Sequence, residues 1–214
     1  MSGRRKKGII PITLGSLLIF SAICLSGYNL YDEHRALTSA NNAISLLEEF
    51  IPEPPQYDVP ADAVSGSLST EIEIPDYQLN PNMSMPEQEV QGIDYIGTLN
   101  IPALELDLPV ISEWSYPNLK LSPCRYTGTA YLDNLVIAAH NYKSHFGSLK
   151  NLIPGDMIVL KDMDGNEFRY EVVTIETLQP TAIEDMTSGD YDLTLFTCTL
   201  SGSARVTVRC DRVE

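Results

Sequence analysis

The chain has 214 residues, 43% hydrophobic and 20% charged, enough for one ordinary domain with appendages and too few for two large ones. Its 29 acidic and 14 basic residues give a formal charge of −15, and from Ala36 onward the balance is 27 acidic to 9 basic; such a body repels phosphate backbones, which excludes nucleic-acid binding. The four cysteines (Cys24, Cys124, Cys198, Cys210) show no CxxC or Cys/His ligand spacing, which excludes a structural zinc site.

Residues 1–7 form a basic tail carrying Arg4, Arg5, Lys6 and Lys7, and Gly8–Tyr31 then contains no Lys, Arg, Asp, Glu or His. About 20 helical residues cross the roughly 30 Å hydrocarbon layer, so residues 8–31 read as a transmembrane signal anchor. Pro11 falls near its start, where a helix tolerates proline. The positive-inside bias keeps the tail cytoplasmic. The expectation is a single-pass protein of the cell membrane with its folded part extracellular. A cleaved signal peptide is the competing reading, but no A-x-A site is evident, and Ile23 is bulky where a lipoprotein site at Ser21-Ala-Ile-Cys24 needs a small residue.

Residues 32–50 form a juxtamembrane stalk: Ala36, Ala40, Ala43, Leu47 and Phe50 share helical spacing, which predicts a short, solvated helix with one greasy stripe. Residues 51–92 hold 7 of the 14 prolines, 8 acidic residues and no Lys or Arg. That composition predicts an extended Pro-rich acidic linker, because too little apolar surface is available to offset its ordering entropy.

Residues 93–214 change to strand character. Tyr95–Ile101 and Leu104–Val110 are β-rich runs split by Pro102-Ala103, and Ser115–Ser122 reads as a turn or short helix. Leu135–Ala139 is a continuous apolar run, the mark of a strand buried on both faces. Phe146–Leu152 suits one or two helical turns. Met157–Lys161 and Glu167–Leu178 flank Asp164-Gly165, a hairpin signal because both residues tolerate positive φ. After a helical turn at Thr181–Met186, Leu193–Thr199 and Ala204–Val213 form two strands joined through Ser201-Gly202-Ser203. The prediction is mainly β: an eight-stranded, closed or nearly closed barrel with short helices, preceded by one N-terminal transmembrane helix.

Three residues stand out. Cys198 ends a strand beside a Gly/Ser turn, His140 ends the run Val136-Ile-Ala-Ala-His140, and Arg205 opens the last strand. Taken singly they read as a buried thiol, a satisfied histidine and a surface arginine. Together they supply a nucleophile, a proton shuttle and an oxyanion partner for thiol acyl transfer. If residues 199–204 turn the chain, Arg205 returns to the end of the barrel that carries Cys198, whereas Arg209 lies roughly 13 Å further along at about 3.3 Å per residue. Arg212 points to the other face. Cys210 shares a face with Val206 and Val208 and reads as a barrel-interior thiol. Cys124 and Cys210 are both expected at the end away from Cys198, where a disulfide between them is left to geometry. His145 reads as a solvated or rim residue. Neither a metal site nor any other cofactor is expected.

Residues 90–214 resemble the sortases, membrane-anchored cysteine transpeptidases of Gram-positive bacteria. The resemblance is carried by Tyr95-Ile-Gly-Thr-Leu-Asn-Ile-Pro102, Leu108-Pro-Val110, Ala138-Ala-His140-Asn, Phe146-Gly-Ser-Leu149 and Pro154-Gly-Asp156. Most specific is Thr194-Leu-Phe-Thr-Cys198-Thr, followed by Arg205-Val-Thr-Val. Ala139 stands where many members carry glycine. With no second transmembrane segment and no Asp-Pro-aromatic lid motif, the resemblance points away from the pilus-polymerising branch and towards a non-pilus, protein-anchoring one. It implies a catalytic domain over 93–214 in which Cys198 attacks an LPxTG-like sorting signal of secreted surface proteins. His140 would move the proton, Arg205 would hold the oxyanion, and a cell-wall precursor amine would accept the acyl group. The alternatives are a catalytically silent cell-surface binding module and a hydrolytic cysteine peptidase on the same fold.

Overall fold

The computed structural model describes residues 6–52, 74–188 and 190–213. A single helix, α1 (Lys6–Leu47), opens the chain, and the short helix α2 (Asp76–Leu79) precedes the strands. Strands β1 (Gln88–Val90), β2 (Ile93–Ile101) and β3 (Leu106–Ile111) lead to helix α3 (Tyr116–Leu119). Strands β4 (Cys124–Thr127), β5 (Leu135–Ala139), β6 (Met157–Asp162) and β7 (Glu167–Leu178) follow. Helix α4 (Ile183–Met186) then leads to β8 (Leu193–Cys198) and β9 (Arg205–Val213).

The sheet order is β1-β2-β3-β4-β5-β8-β9-β7-β6, and a further β2–β6 pairing joins its ends. Strands β2–β9 thus close into an eight-stranded barrel, with β1 a three-residue addition along β2. Closure needs a backbone without a Cβ at one point: Gly97 has φ +149°, and a side chain there would run into the Lys161 carbonyl of β6. Alternation sorts the strands. Leu135, Ile137, Leu193, Leu195, Val208 and Cys210 fill the interior, while Val136, Ala138 and Phe196 face an outer apolar layer. All of β5 is buried, as its continuous apolar run predicts. The Asp164-Gly165 hairpin also forms, pairing Lys161 with Glu167.

The N-terminal half departs from expectation in two places. Helix α1 runs unbroken through both the apolar segment and the predicted stalk. Its stripe Ala36, Ala40, Ala43 and Leu47 is at most 5% exposed. That face is not solvated; it packs on the barrel alongside β3 and β1. Upstream, Leu14, Leu17, Leu18, Ile19, Phe20 and Ile23 all stand more than half exposed. A surface that is apolar all round suits lipid, and this helix is long and apolar enough to be a candidate membrane span. The second departure is the end of the expected linker. Residues 53–73 lie outside the described residues, but Tyr77 stacks on Tyr131 at 4.8 Å and Met85 is 2% exposed in the core. Aromatic and thioether side chains give this stretch enough apolar area to dock despite its prolines.

Candidate active site

Three neighbouring strands end together. In the antiparallel β8–β9 pair, Cys198 lies directly opposite Arg205. Their turn is closed by Thr199 N–H donating to the Ala204 carbonyl at 2.9 Å and Gly202 N–H donating to the Thr199 carbonyl at 2.8 Å. On the other side of β8, β5 runs parallel and its last pair is Ala139 with Thr197. One step further, His140 and Cys198 leave adjacent strands side by side. Paired residues point to the same face and neighbouring strands sit about 4.8 Å apart, so His140, Cys198 and Arg205 form a row on one outer rim. The three residues predicted from sequence lie at the same end of three adjacent strands.

Two threonines of the Thr194–Cys198 stretch have structural work. Thr197 Oγ1 donates to the Ala139 carbonyl at 2.8 Å, tying β8 to β5 one residue before His140. Thr194 Oγ1 accepts from Arg209 Nη1 at 3.0 Å. Arg209 is therefore not a bystander. It is 3% exposed, its Nε donates to Glu176 at 2.8 Å, and its other nitrogens donate to the Met186 and Asp185 carbonyls, clamping α4 to the barrel.

Cys198 is half-buried and opens on a cavity of about 500 Å³ lined by Asn141, Lys143, Ser148, Lys150 and Leu200. A cavity of about 570 Å³ between the end of α1 and strands β2 and β6 is lined by Glu48, Asp107, Lys161 and Arg169 and holds no thiol. Arg205 donates through Nη1 to the Gly202 and Ala204 carbonyls at 3.3 and 3.2 Å and, among the described residues, has no acidic partner. The His140 imidazole lies against Tyr142, with ring centroids 4.9 Å apart, and its Nε2 is buried without a hydrogen-bond partner. Burial pushes its pKa down and the nearby Asp32 carboxylate partly opposes that.

His145 corrects the sequence reading. It is fully buried rather than solvated, neither ring nitrogen makes a well-formed hydrogen bond, and burial lowers its pKa to about 4. The cysteine geography is corrected too. Strand β4 runs antiparallel to β5 and pairs Cys124 with Ala138, close to the His140 end. Cys210 pairs with Leu193 at the far end and faces the interior. Both thiols are free and no disulfide links them. Arg212 points away from the rim, donating to Asp133 at 2.9 Å and covering the Phe168 ring. The sequence reading missed Tyr142 and Asp32, whose only sequence signals are an aromatic two residues past His140 and the first acid beyond the apolar span.

A closed eight-stranded barrel with a thiol, an imidazole and a guanidinium at three adjacent strand ends defines the sortase class of fold. The family model of the Sortase domain matches residues 99–213, and the chain belongs to the sortase family. It is 28% identical over 138 residues to Sortase A of Bacillus anthracis, a match that covers 61% of this chain and 62% of that relative's length. Among solved structures, it is similar to sortase C1 of Streptococcus agalactiae in complex with MTSET, at 27% identity and TM-score 0.50, covering 56% of this chain and 68% of that one. The Sortase D5 transpeptidase of Clostridium perfringens shares the fold at 20% identity and TM-score 0.51, covering 65% and 94%. The expected non-pilus branch finds no support in these neighbours, since sortase C1 structures recur among them.

Proposed function

We propose that this chain is a membrane-anchored transpeptidase that cleaves an LPxTG-like sorting signal and transfers the protein to a cell-wall amine. The observation that carries the reading is the row His140–Cys198–Arg205, with the one half-buried barrel thiol opening on a cavity. The Cys198 thiolate attacks the scissile carbonyl, forming a C–S bond and a tetrahedral oxyanion. The planar Arg205 guanidinium faces that rim and donates to the oxyanion. As the intermediate collapses, the C–N bond breaks and the departing amine takes a proton from the His140 imidazolium, leaving a thioester. An incoming amine then attacks the thioester, gives a proton back to His140, and expels the Cys198 thiolate. Burial disfavours the charged imidazole, and the Asp32 carboxylate partly opposes that.

The proposed organisation is a cytoplasmic tail over 1–7, an anchor over 8–31 and an extracellular barrel over 93–214, with residues 32–50 docked rather than free. A fluorogenic sorting peptide, given to the full chain in detergent with and without an amine acceptor, tests the reading. Amine-dependent product is expected. Cleavage indifferent to amine would make the chain a hydrolytic peptidase, and no cleavage would make it a binding module.

A further inference from the structure

Resting on that reading of His140, we propose that Asp32 of the anchor helix and Tyr142 of the loop after β5 are positioning residues that orient the His140 imidazole. The catalytic histidine is thereby held in place by the segment that leaves the membrane.

Among the described residues no side-chain hydrogen bond fixes the His140 ring. Its Nε2 has no partner, and among the described residues no carboxylate or amide side chain hydrogen-bonds it. What it touches is the Tyr142 ring, inclined at 35° and 4.9 Å away, and Tyr142 in turn lies 5.5 Å from the His145 ring. The Tyr142 hydroxyl donates to Asp32 Oδ2 at 2.6 Å, and the next backbone amide, Lys143 N–H, donates to Glu33 Oε1 at 3.1 Å. Two consecutive loop residues are thus fastened to two consecutive residues of α1, each across 110 positions of sequence. The loop behind them is compact. The Tyr142 carbonyl accepts from His145 N–H at 3.0 Å and Gly147 N–H at 2.8 Å, and Phe146 N–H donates to the His140 carbonyl at 3.2 Å. A Cβ on Gly147 would stand 2.7 Å from the Tyr142 carbonyl, so the turn closes only around glycine.

The helix is a suitable support. Its stripe is fixed to the barrel from Ala36 to Leu47, and Asp32 lies one turn before the first of these contacts, on rigid backbone. The contact is also charged. The Tyr142 hydrogen bond holds the Asp32 carboxyl below the usual carboxylate range, so it stays ionised at neutral pH. The groups acting on His140 are Asp32 from α1, Lys120 after α3 and His145 on its own loop, with the Tyr142 ring against it; Cys198 ends the neighbouring strand β8 and Arg205 opens β9 one strand further. Asp32 favours the imidazolium, while Lys120 and burial oppose it.

The test uses the full chain in detergent micelles, with Asp32→Asn, Tyr142→Phe, the double variant and Asp32→Glu. Each single change is expected to lower kcat roughly 10-fold, with KM nearly unchanged, as misorientation of a reacting group does. The double variant should lose no more than either single, because Asp32→Asn takes the charge and Tyr142→Phe the donor from the same contact. Asp32→Glu should restore part of the loss. NMR titration of labelled His140 supplies a readout independent of activity: Asp32→Asn should lower the imidazole pKa, with thermal unfolding little changed. A wild-type titration curve in Asp32→Asn, wild-type kcat in either single, or additive losses in the double would overturn the proposal. If the wild-type chain transfers nothing, the functional reading fails on its own, and the His140 titration still decides whether Asp32 acts on the ring.

Discussion

Cys198 differs from the other thiols by its surroundings rather than its chemistry. Cys124 is fully buried, and desolvation pushes its pKa up to about 12; Cys210, also fully buried, is pushed up as well. The thiolate is the reactive form, so iodoacetamide is expected to label Cys198 first in the folded chain and to reach Cys124 and Cys210 only on unfolding, as peptide mapping would read. Earlier labelling of Cys210 would reverse the assignment. Cys198→Ala should abolish transfer with little effect on folding, whereas Cys210→Ala should keep activity and cost about 1 kcal/mol. His145 makes a different prediction. Its pKa of about 4 in the fold lies below the ordinary value of about 6.5. Between those values the unfolded chain binds more protons than the folded one, so stability present above pH 6.5 is lost as pH falls towards 4. Thermal melts should show a loss of about 3 kcal/mol across that window, to which His140, also depressed by burial, adds. His145→Leu should flatten the curve; an unchanged slope would deny that this histidine is neutral in the fold. Neither His145 nor Arg209 was legible as buried in the sequence, because each is covered by segments distant along the chain.

At the scale of elements, the β8–β9 hairpin separates two arginines that alternation alone leaves on one face. Arg205 pairs with Cys198, while Arg209 pairs with Thr194 four residues back. Arg205→Lys keeps the charge and loses the fork of donors; a turnover loss of about 10²-fold or more is expected, the size of losing one oxyanion donor. Sequence alone expects Arg209→Lys to sit near wild type. The structure changes that: lysine cannot serve Glu176, Thr194 and two carbonyls at once, so a stability loss of about 2 kcal/mol is expected. Calorimetry and kinetics at low temperature would separate the two effects, and equal turnover losses would remove Arg205 from the mechanism. The rim was readable because strand ends and a Gly/Ser turn are local signals. Strand β4 was not: it is four residues long, interrupted between Arg125 and Thr127, and reads as no alternation at all. The α1 stripe was visible, but its partner surface on β1 and β3 lies some way down the chain, and without it a narrow alanine face is indistinguishable from a solvated one.

At the scale of the whole molecule, one helix joins the apolar span to the rim that carries the proposed chemistry. The part of α1 nearest the span, Asp32 and Glu33, touches the loop after His140, whereas Ile44 and Glu48 border a cavity with Asn100 and Asp107. The barrel therefore lies along the helix with its His140–Cys198 end towards the span. Charge sets the orientation across the membrane. Four basic residues precede the span, so under the proposed organisation the positive-inside bias favours a cytoplasmic tail and a barrel outside. The cysteines make this testable, because Cys24 lies on the apolar stretch of α1 and Cys124 and Cys210 are buried. Cys198 is then the thiol open to a water-soluble reagent. A membrane-impermeant maleimide applied to intact bacteria expressing the chain is expected to label it, and Cys198→Ala should remove the label. Labelling that appears only after the membrane is permeabilised would place the barrel, and with it the rim, on the cytoplasmic side.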